Sequence, residues 1–195
     1  MAGVLIRHED GLDRCPWCGT APDYVAYHDE EWGVPEYDSR ALFEKLILDG
    51  FQAGLAWITI LRKRDGFRAR FEGFEPARLA AWGEAEIAAA LQDPGIVRHR
   101  GKIEATVGNA RAYLAIEKSE GDFSRYLWSF VGGKPIVNRW QSIGQAPTSS
   151  PEAEALSKAL KKQGFRFVGP TIVYAFMQAV GMVDDHLAGC HAKRG

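Results

Sequence analysis

The strongest constraint in this sequence is where its metal-ligating side chains fall. One stretch near the N-terminus reads Cys15-Pro-Trp-Cys-Gly-Thr-Ala-Pro-Asp-Tyr-Val-Ala-Tyr-His28, and one near the C-terminus reads Asp184-Asp185-His186-Leu-Ala-Gly-Cys190. All three cysteines lie in these stretches, as do His28 and His186, with His191 beside the second; between His28 and His186 stand no cysteine and only His99. Zinc takes four soft or borderline ligands in tetrahedral geometry, and Cys2His2 is a common structural set. A pair from each end would tie the two ends of the chain around one ion. His186 and Cys190 are four residues apart, hence on one face if that segment is helical. Spacing alone leaves the ligand set open, because Cys18 and His191 compete. It also leaves Cys15-x2-Cys18 readable as a redox pair, or all three thiols as small buried hydrophobes.

Composition narrows the class. A chain of 195 residues suits one domain or a compact pair of lobes, and 46% hydrophobic with 25% charged residues is ordinary for a globular protein. The net charge of −1 argues neither for nor against nucleic acid. Val4-Leu5-Ile6 before Arg7 is too short for a signal sequence. The longest apolar run, 172–183, is broken by Gln178 and Gly181 and cannot span a bilayer. The expected location is therefore the cytoplasm, with no membrane partner, where reduced thiols favour a metal over a disulfide.

Along the chain, residues 1–13 read as a flexible tail, 14–190 as one helical domain and 191–195 as a second tail. The segment 14–37, rich in Pro, Gly and aromatics, reads as an irregular ligand-bearing arm. Asp38-Ser39 caps a helix whose stripe is Leu42, Phe43, Leu46 and Ile47, ending at Gly50. A second helix is expected over 55–71, shorter ones at 76–82 and 84–92, and a long one with Ile103, Val107, Ala110 and Leu114 on its apolar face. Arg98, Arg100 and Lys102 form a basic patch before it. A helix over 123–131 and a surface connection over 132–150 follow. Ser150-Pro151 restarts a helix that stops at Gly164, and Pro170 opens the last one, through Val180. No strand alternation or repeat is present, so the fold class is all-α.

Helix, then Gly164-Phe-Arg-Phe-Val-Gly169, then helix is the pattern of a helix–hairpin–helix. The glycines permit close backbone approach, and free N–H groups from Thr171 onward suit a DNA phosphate. Lys158, Lys161, Lys162 and Arg166 make the neighbourhood basic. A plain helical corner with a solvated lysine face is the simpler alternative.

Six motifs resemble the 3-methyladenine DNA glycosylase I family: Tyr27-His-Asp-Glu-Glu-Trp-Gly-Val-Pro35, Gln52-Ala-Gly-Leu-Ala-Trp-Ile-Thr59, Arg98-His-Arg-Gly-Lys102, Gly108-Asn-Ala-Arg-Ala-Tyr113, Leu156-Ser-Lys-Ala-Leu-Lys-Lys162 and Phe167-Val-Gly169. They occur in order across nearly the whole chain. The resemblance implies a helix–hairpin–helix DNA glycosylase fold with one structural zinc held by Cys15, His28, His186 and Cys190, leaving Cys18 outside the set. It implies excision of 3-methyladenine from double-stranded DNA carrying alkylated purines, with the free base as product and the protein acting as a monomer. Carried over, Trp17, Tyr24 and Trp57 bind the base, while Asp49 and Tyr27 are the catalytic pair. Gly164, Gly169, Thr171, Lys161 and Lys162 meet DNA, and Leu55 is a candidate wedge.

Methylation at N3 makes the purine cationic and weakens its glycosidic bond, so extrusion, stacking and charge recognition matter more than protonation. The activity is expected to be monofunctional, because the lysines read as outward-facing and a lyase needs an amine in the pocket. Two departures stand out. The pocket carboxylate is Asp49 where the family is expected often to have glutamate, and Asp184 stands where asparagine is expected, either as a catalytic group or as a cap for the ligand segment. The alternatives are a non-catalytic zinc-stabilised helix–hairpin–helix DNA-binding module and a thiol oxidoreductase using Cys15 and Cys18.

Overall fold

The computed structural model describes residues 3–194; Met1, Ala2 and Gly195, parts of the two tails assigned from sequence, lie outside the described residues. Among the described residues ten α-helices carry the fold: α1 Pro22–Glu30, α2 Ser39–Gln52, α3 Trp57–Leu61, α4 Arg64–Arg70, α5 Pro76–Ala80, α6 Glu84–Gln92, α7 Arg100–Glu120, α8 Phe123–Trp128, α9 Pro151–Lys162 and α10 Pro170–Ala179. Strands among the described residues are two-residue pairings only. β1 (Ile6–Arg7) runs antiparallel to β2 (Asp13–Arg14), and β3 (Ile136–Val137) runs parallel to β4 (Val183–Asp184). The fold is mostly helical, as the missing alternation predicts.

The supposedly irregular arm contains α1. Pro22 fixes its first turn, and Tyr27 and His28 are buried on one side of it. α2 begins as expected, with Asp38 accepting from the Ala41 N–H at 2.8 Å, and its stripe Leu42, Phe43, Leu46 and Ile47 is buried. It does not end at Gly50. That glycine is internal, and a Cβ there would lie 3.4 Å from Phe167, so it serves the close approach of the α9–α10 turn. The stop is Gly54, with φ +85°.

The single helix expected over 55–71 is two, because the backbone at Lys63 (φ −101°, ψ 1°) leaves helical geometry. On α7, Ile103, Val107 and Ala110 are buried as expected, but Leu114 is 39% exposed. Tyr113 takes the inward place, packed on Phe43 and Phe123 at 5.1 and 4.6 Å between ring centres.

Lys102 is the largest departure from the basic patch. It is buried, and its ammonium donates to the carbonyls of Phe51 and Ala53, both at 2.8 Å. It thus satisfies carbonyls that the end of α2 leaves open and fixes the Gly54–Leu55 turn. Arg100 is paired with Glu84 and Glu104. Lys102→Met leaves two carbonyls without their donor, so it should destabilise the fold by about 1–3 kcal/mol. A lower urea midpoint at unchanged slope is the expected result.

Candidate functional site

Between α1, the end of α2, the start of α3 and α10 lies a cavity of about 240 Å³, walled by Trp17, Tyr24, Tyr27, Trp32, Trp57 and Asp49. Five of those six are sequence-predicted site residues; Trp32 is the addition. The aromatics touch in series, with ring centres 5.3 Å apart for Trp17–Tyr24, 6.3 Å for Tyr24–Tyr27 and 5.4 Å for Tyr27–Trp57. Such a slot has room for one planar heterocycle held by π-faces.

Asp49, 2% exposed, projects from the last turn of α2. Its Oδ1 accepts from Lys45 Nζ at 2.7 Å, one turn earlier, while its Oδ2 has no hydrogen-bond partner. The lysines were expected to face outward; Lys45 instead lines the cavity, because Asp49 and the Trp57 ring hold its ammonium there. Burial raises the Asp49 carboxyl above the usual carboxylate range against the opposing pull of Lys45. Burial first, and then the nearby Asp49 charge, raise the Tyr27 phenol well above its ordinary value, so Tyr27 stays protonated at neutral pH and can donate.

The predicted ligand residues meet behind this cavity. One ligand atom from each of Cys15, His28, His186 and Cys190, all buried, lies within 4.8 Å of the others. Cys190 Sγ is 3.5 Å from His28 Nε2 and 3.6 Å from His186 Nδ1, and Cys15 Sγ is 3.7 Å from His186 Nδ1. Tetrahedral bonds of the length zinc makes to sulfur and nitrogen separate neighbouring ligand atoms by about 3.3–3.8 Å. The other ring nitrogens are engaged: His28 Nδ1 lies 2.7 Å from Asp29 Oδ1, and His186 Nε2 lies 2.9 Å from the Trp32 carbonyl. Those partners assign a proton to each and turn the remaining nitrogen toward the thiols. The cluster could hold a metal ion. Cys18 points away, donating to the Cys15 carbonyl at 3.1 Å, and His191 contacts Asp29 at 2.9 Å instead.

Asp184 faces the chain rather than the cavity. It accepts from the His186 and Arg194 N–H groups, both at 3.2 Å, and pairs with Lys193. Besides Trp32 and Lys45, the sequence reading also missed Asp185, which reaches the cavity wall and accepts from Asn138, Trp140, Tyr174 and Gln178. Neighbouring residues in extended backbone point to opposite sides, which is the signal that separates the two.

At the α9–α10 corner, Gly164 and Phe167 have φ of +97° and +56°. Ser157 Oγ donates to the Val168 carbonyl at 2.6 Å. Asn109 brackets Arg166, donating to its carbonyl at 3.1 Å and accepting from its N–H at 2.8 Å. Lys161, Lys162 and Thr171 are exposed and Gly169 caps α10. Leu55, 41% exposed, follows Gly54.

The Methyladenine glycosylase family matches residues 17–193. The chain belongs to the 3-methyladenine DNA glycosylase I family. Members are hydrolases acting on N-glycosyl bonds, and this chain is an enzyme of that class. It is 53% identical to DNA-3-methyladenine glycosylase 1 of Escherichia coli K12 over 92% of this chain and 96% of that one. It is also 53% identical to DNA-3-methyladenine glycosylase of Haemophilus influenzae, over 92% and 97% of the two chains. A solved 3-methyladenine DNA glycosylase I, a tyrosine-to-phenylalanine variant in complex with 3-methyladenine, superposes with a TM-score of 0.91 at 41% identity, covering 93% of this chain and 98% of that one. Among the described residues, no helix is long and apolar enough to cross a membrane.

Arg14, 3% exposed, binds Asp10 and Asp29 together, with closest contacts of 2.7 Å to each. Burial would raise the Asp29 carboxyl, but hydrogen bonds from Arg14, His28 and His191 outweigh it and hold the carboxyl well below its usual range. A carboxylate depressed in the folded state contributes stability that is full above its unfolded pKa and drains away as pH falls. Stability should therefore decline as pH drops below about 4. Arg14→Met should flatten that decline in denaturation midpoints taken across the acid range.

Proposed function

We propose that the enzyme excises 3-methyladenine from alkylated double-stranded DNA by turning the damaged nucleotide out of the helix into the cavity of Trp17, Tyr24, Tyr27 and Trp57. The observation that carries this reading is an aromatic slot for one base with a buried carboxylate in its wall, in a chain of this family. N3 methylation leaves the purine positively charged. When the C1′–N9 bond breaks, its electron pair passes to the base, which departs neutral and leaves the positive charge on the sugar; water adds at C1′ and releases a proton to solvent. The base needs no added proton, so the pocket's task is recognition: π-faces stack the cation and Asp49 offsets its charge. Tyr27, kept protonated, offers a hydrogen bond to a ring nitrogen.

We read the α9–α10 corner as a helix–hairpin–helix whose Gly164–Gly169 backbone and Thr171 take a DNA phosphate, supported by Lys161 and Lys162. Leu55 is the side chain that would fill the gap left by the extruded base. The activity is monofunctional. Lys45 does bring an amine into the pocket, and burial lowers its ammonium pKa below the usual lysine range against the opposing pull of Asp49. The contact with Asp49 at 2.7 Å nevertheless keeps that nitrogen engaged and not free to form a Schiff base. The protein acts as a monomer in the cytoplasm, and residues 14–190 form the catalytic unit.

The two thiols, two imidazoles and their second partners suit zinc, which would supply folding free energy rather than chemistry. Cys15→Ser and Cys190→Ser should each lose one zinc per chain by elemental analysis and fall in stability. Cys18→Ser should keep its zinc, and its loss there would redraw the ligand set.

The deciding experiment incubates the protein with methylated DNA and separates released bases by chromatography. Free 3-methyladenine is expected, and its absence would sink the proposal. Asp49→Asn should slow single-turnover excision about 10- to 100-fold, the worth of one charged hydrogen bond. Borohydride should trap no covalent enzyme–DNA adduct.

A further inference from the structure

Lys45 has no part in the recognition just described, yet it stands on both groups that recognition needs. It leaves α2 one turn before Asp49, its side chain only 14% exposed. Its Nζ is 2.7 Å from Asp49 Oδ1 and 3.7 Å from the centre of the Trp57 ring. A buried carboxylate and an indole face are what a cationic purine would seek here. In the resting pocket a cation already holds them.

We propose that Lys45 is a tethered occupant of the base site, which an entering alkylated base must drive off Asp49 and Trp57, and that this displacement sets a threshold that a ligand bringing its own positive charge clears. The inference rests on the cavity being the base site. A cationic base replaces the ammonium one charge for one, so Asp49 keeps a counter-ion and Trp57 keeps a cation on its face. A neutral purine offers neither, and its entry would strand the carboxylate unpaired inside the protein, which costs several kcal/mol. Undamaged bases are therefore rejected by the site's own lysine as well as by shape.

The fold provides somewhere for the ammonium to go. Lys45 also lines a second cavity, of about 230 Å³, together with Glu31, Glu44 and Arg64. Glu31 there is bound to Arg64 at the end of α1, and Glu44 to Arg68 at 2.8 Å. The flexible four-carbon stem can carry Nζ from one cavity to the other by rotamer changes, where it would share Glu31 and Glu44 with their arginines.

The test uses two small probes. One is 3,9-dimethyladeninium, a permanent cation with a methyl group in place of the sugar; the other is neutral 9-methyladenine. Binding is measured by calorimetry for the wild type, Lys45→Met, Lys45→Gln and Lys45→Arg, with melting curves to establish folding. Removing the resident ammonium should tighten the cation about 3- to 30-fold, the size of a cation–π contact. It should tighten the neutral probe by a similar factor, because both probes displace the same ammonium. Both results are required of Lys45→Met or, should that variant not fold, of Lys45→Gln. Lys45→Arg keeps the charge and should show neither.

Weaker or unchanged binding of the cation would mean that Lys45 only keeps Asp49 ionised, and overturns the proposal, as does tightening of one probe without the other. If the wild type excises 3-methyladenine but these shifts are missing, only the role of Lys45 falls. If it neither excises nor binds either probe, the base-site reading falls and takes this inference with it.

Discussion

The cavity exists because two segments far apart in sequence are held together at one point. Cys15 and Trp17 come from the N-terminal side, Asp185 and Leu187 from the segment after α10, and all four stand in its wall. What joins them is the Cys15, His28, His186 and Cys190 cluster directly behind that wall. The joint extends outward through second partners: Asp29 orients His28, Arg14 clamps Asp29, and the Trp32 carbonyl orients His186. Trp32 is therefore both a wall of the cavity and part of the joint, with its ring 4.9 Å from Trp17 and 4.6 Å from His186. Loosening the cluster would open the aromatic slot before it disturbed the distant core.

Electrostatics at the end of α2 pose a second problem. A carboxylate in the last turn of a helix sits at the negative end of the macrodipole, and Asp49 adds near-complete burial to that. Two lysines answer it. Lys45 pairs with the carboxylate directly, and Lys102 reaches in from α7 to take the carbonyls of Phe51 and Ala53. Burial still raises the Asp49 carboxyl, and Lys45 opposes that rise. The same two contacts fix the Gly54–Leu55 turn beside the cavity mouth.

How much of this was legible in the sequence differs by residue. The ligand set needed only residue type and position at first, because no cysteine interrupts the middle of the chain; choosing four from six came from the resemblance. The aromatic wall likewise came from the motifs around Tyr27 and Trp57, since the same residues read equally well as core. Lys45 was not legible, because Lys and Asp four apart on a helix are the ordinary sign of a solvated ion pair. Only the packing of α3 and α10 against that face turns it inward. Lys102 was misplaced for the same reason: its neighbours Arg98 and Arg100 made a patch, and nothing local says that one member turns toward α2. Gly50 looked like a stop, yet its meaning depends on Phe167, which lies more than a hundred residues later.

The site also carries a cost that the rest of the fold must offset. Among the described residues, four buried side-chain polar atoms lack a hydrogen-bond partner, and two of them, Asp49 Oδ2 and Trp57 Nε1, belong to the cavity wall. Each such atom costs about 1–3 kcal/mol, a debt that replacement by apolar residues of the same shape would remove. A wall built for stability alone would not contain them. Their place beside an open cavity means that a ligand with a matching donor and acceptor can pair with both on entry. The Cys15, His28, His186 and Cys190 cluster, the Arg14 clamp and the Lys102 cap then have a common rationale: they hold this wall in place.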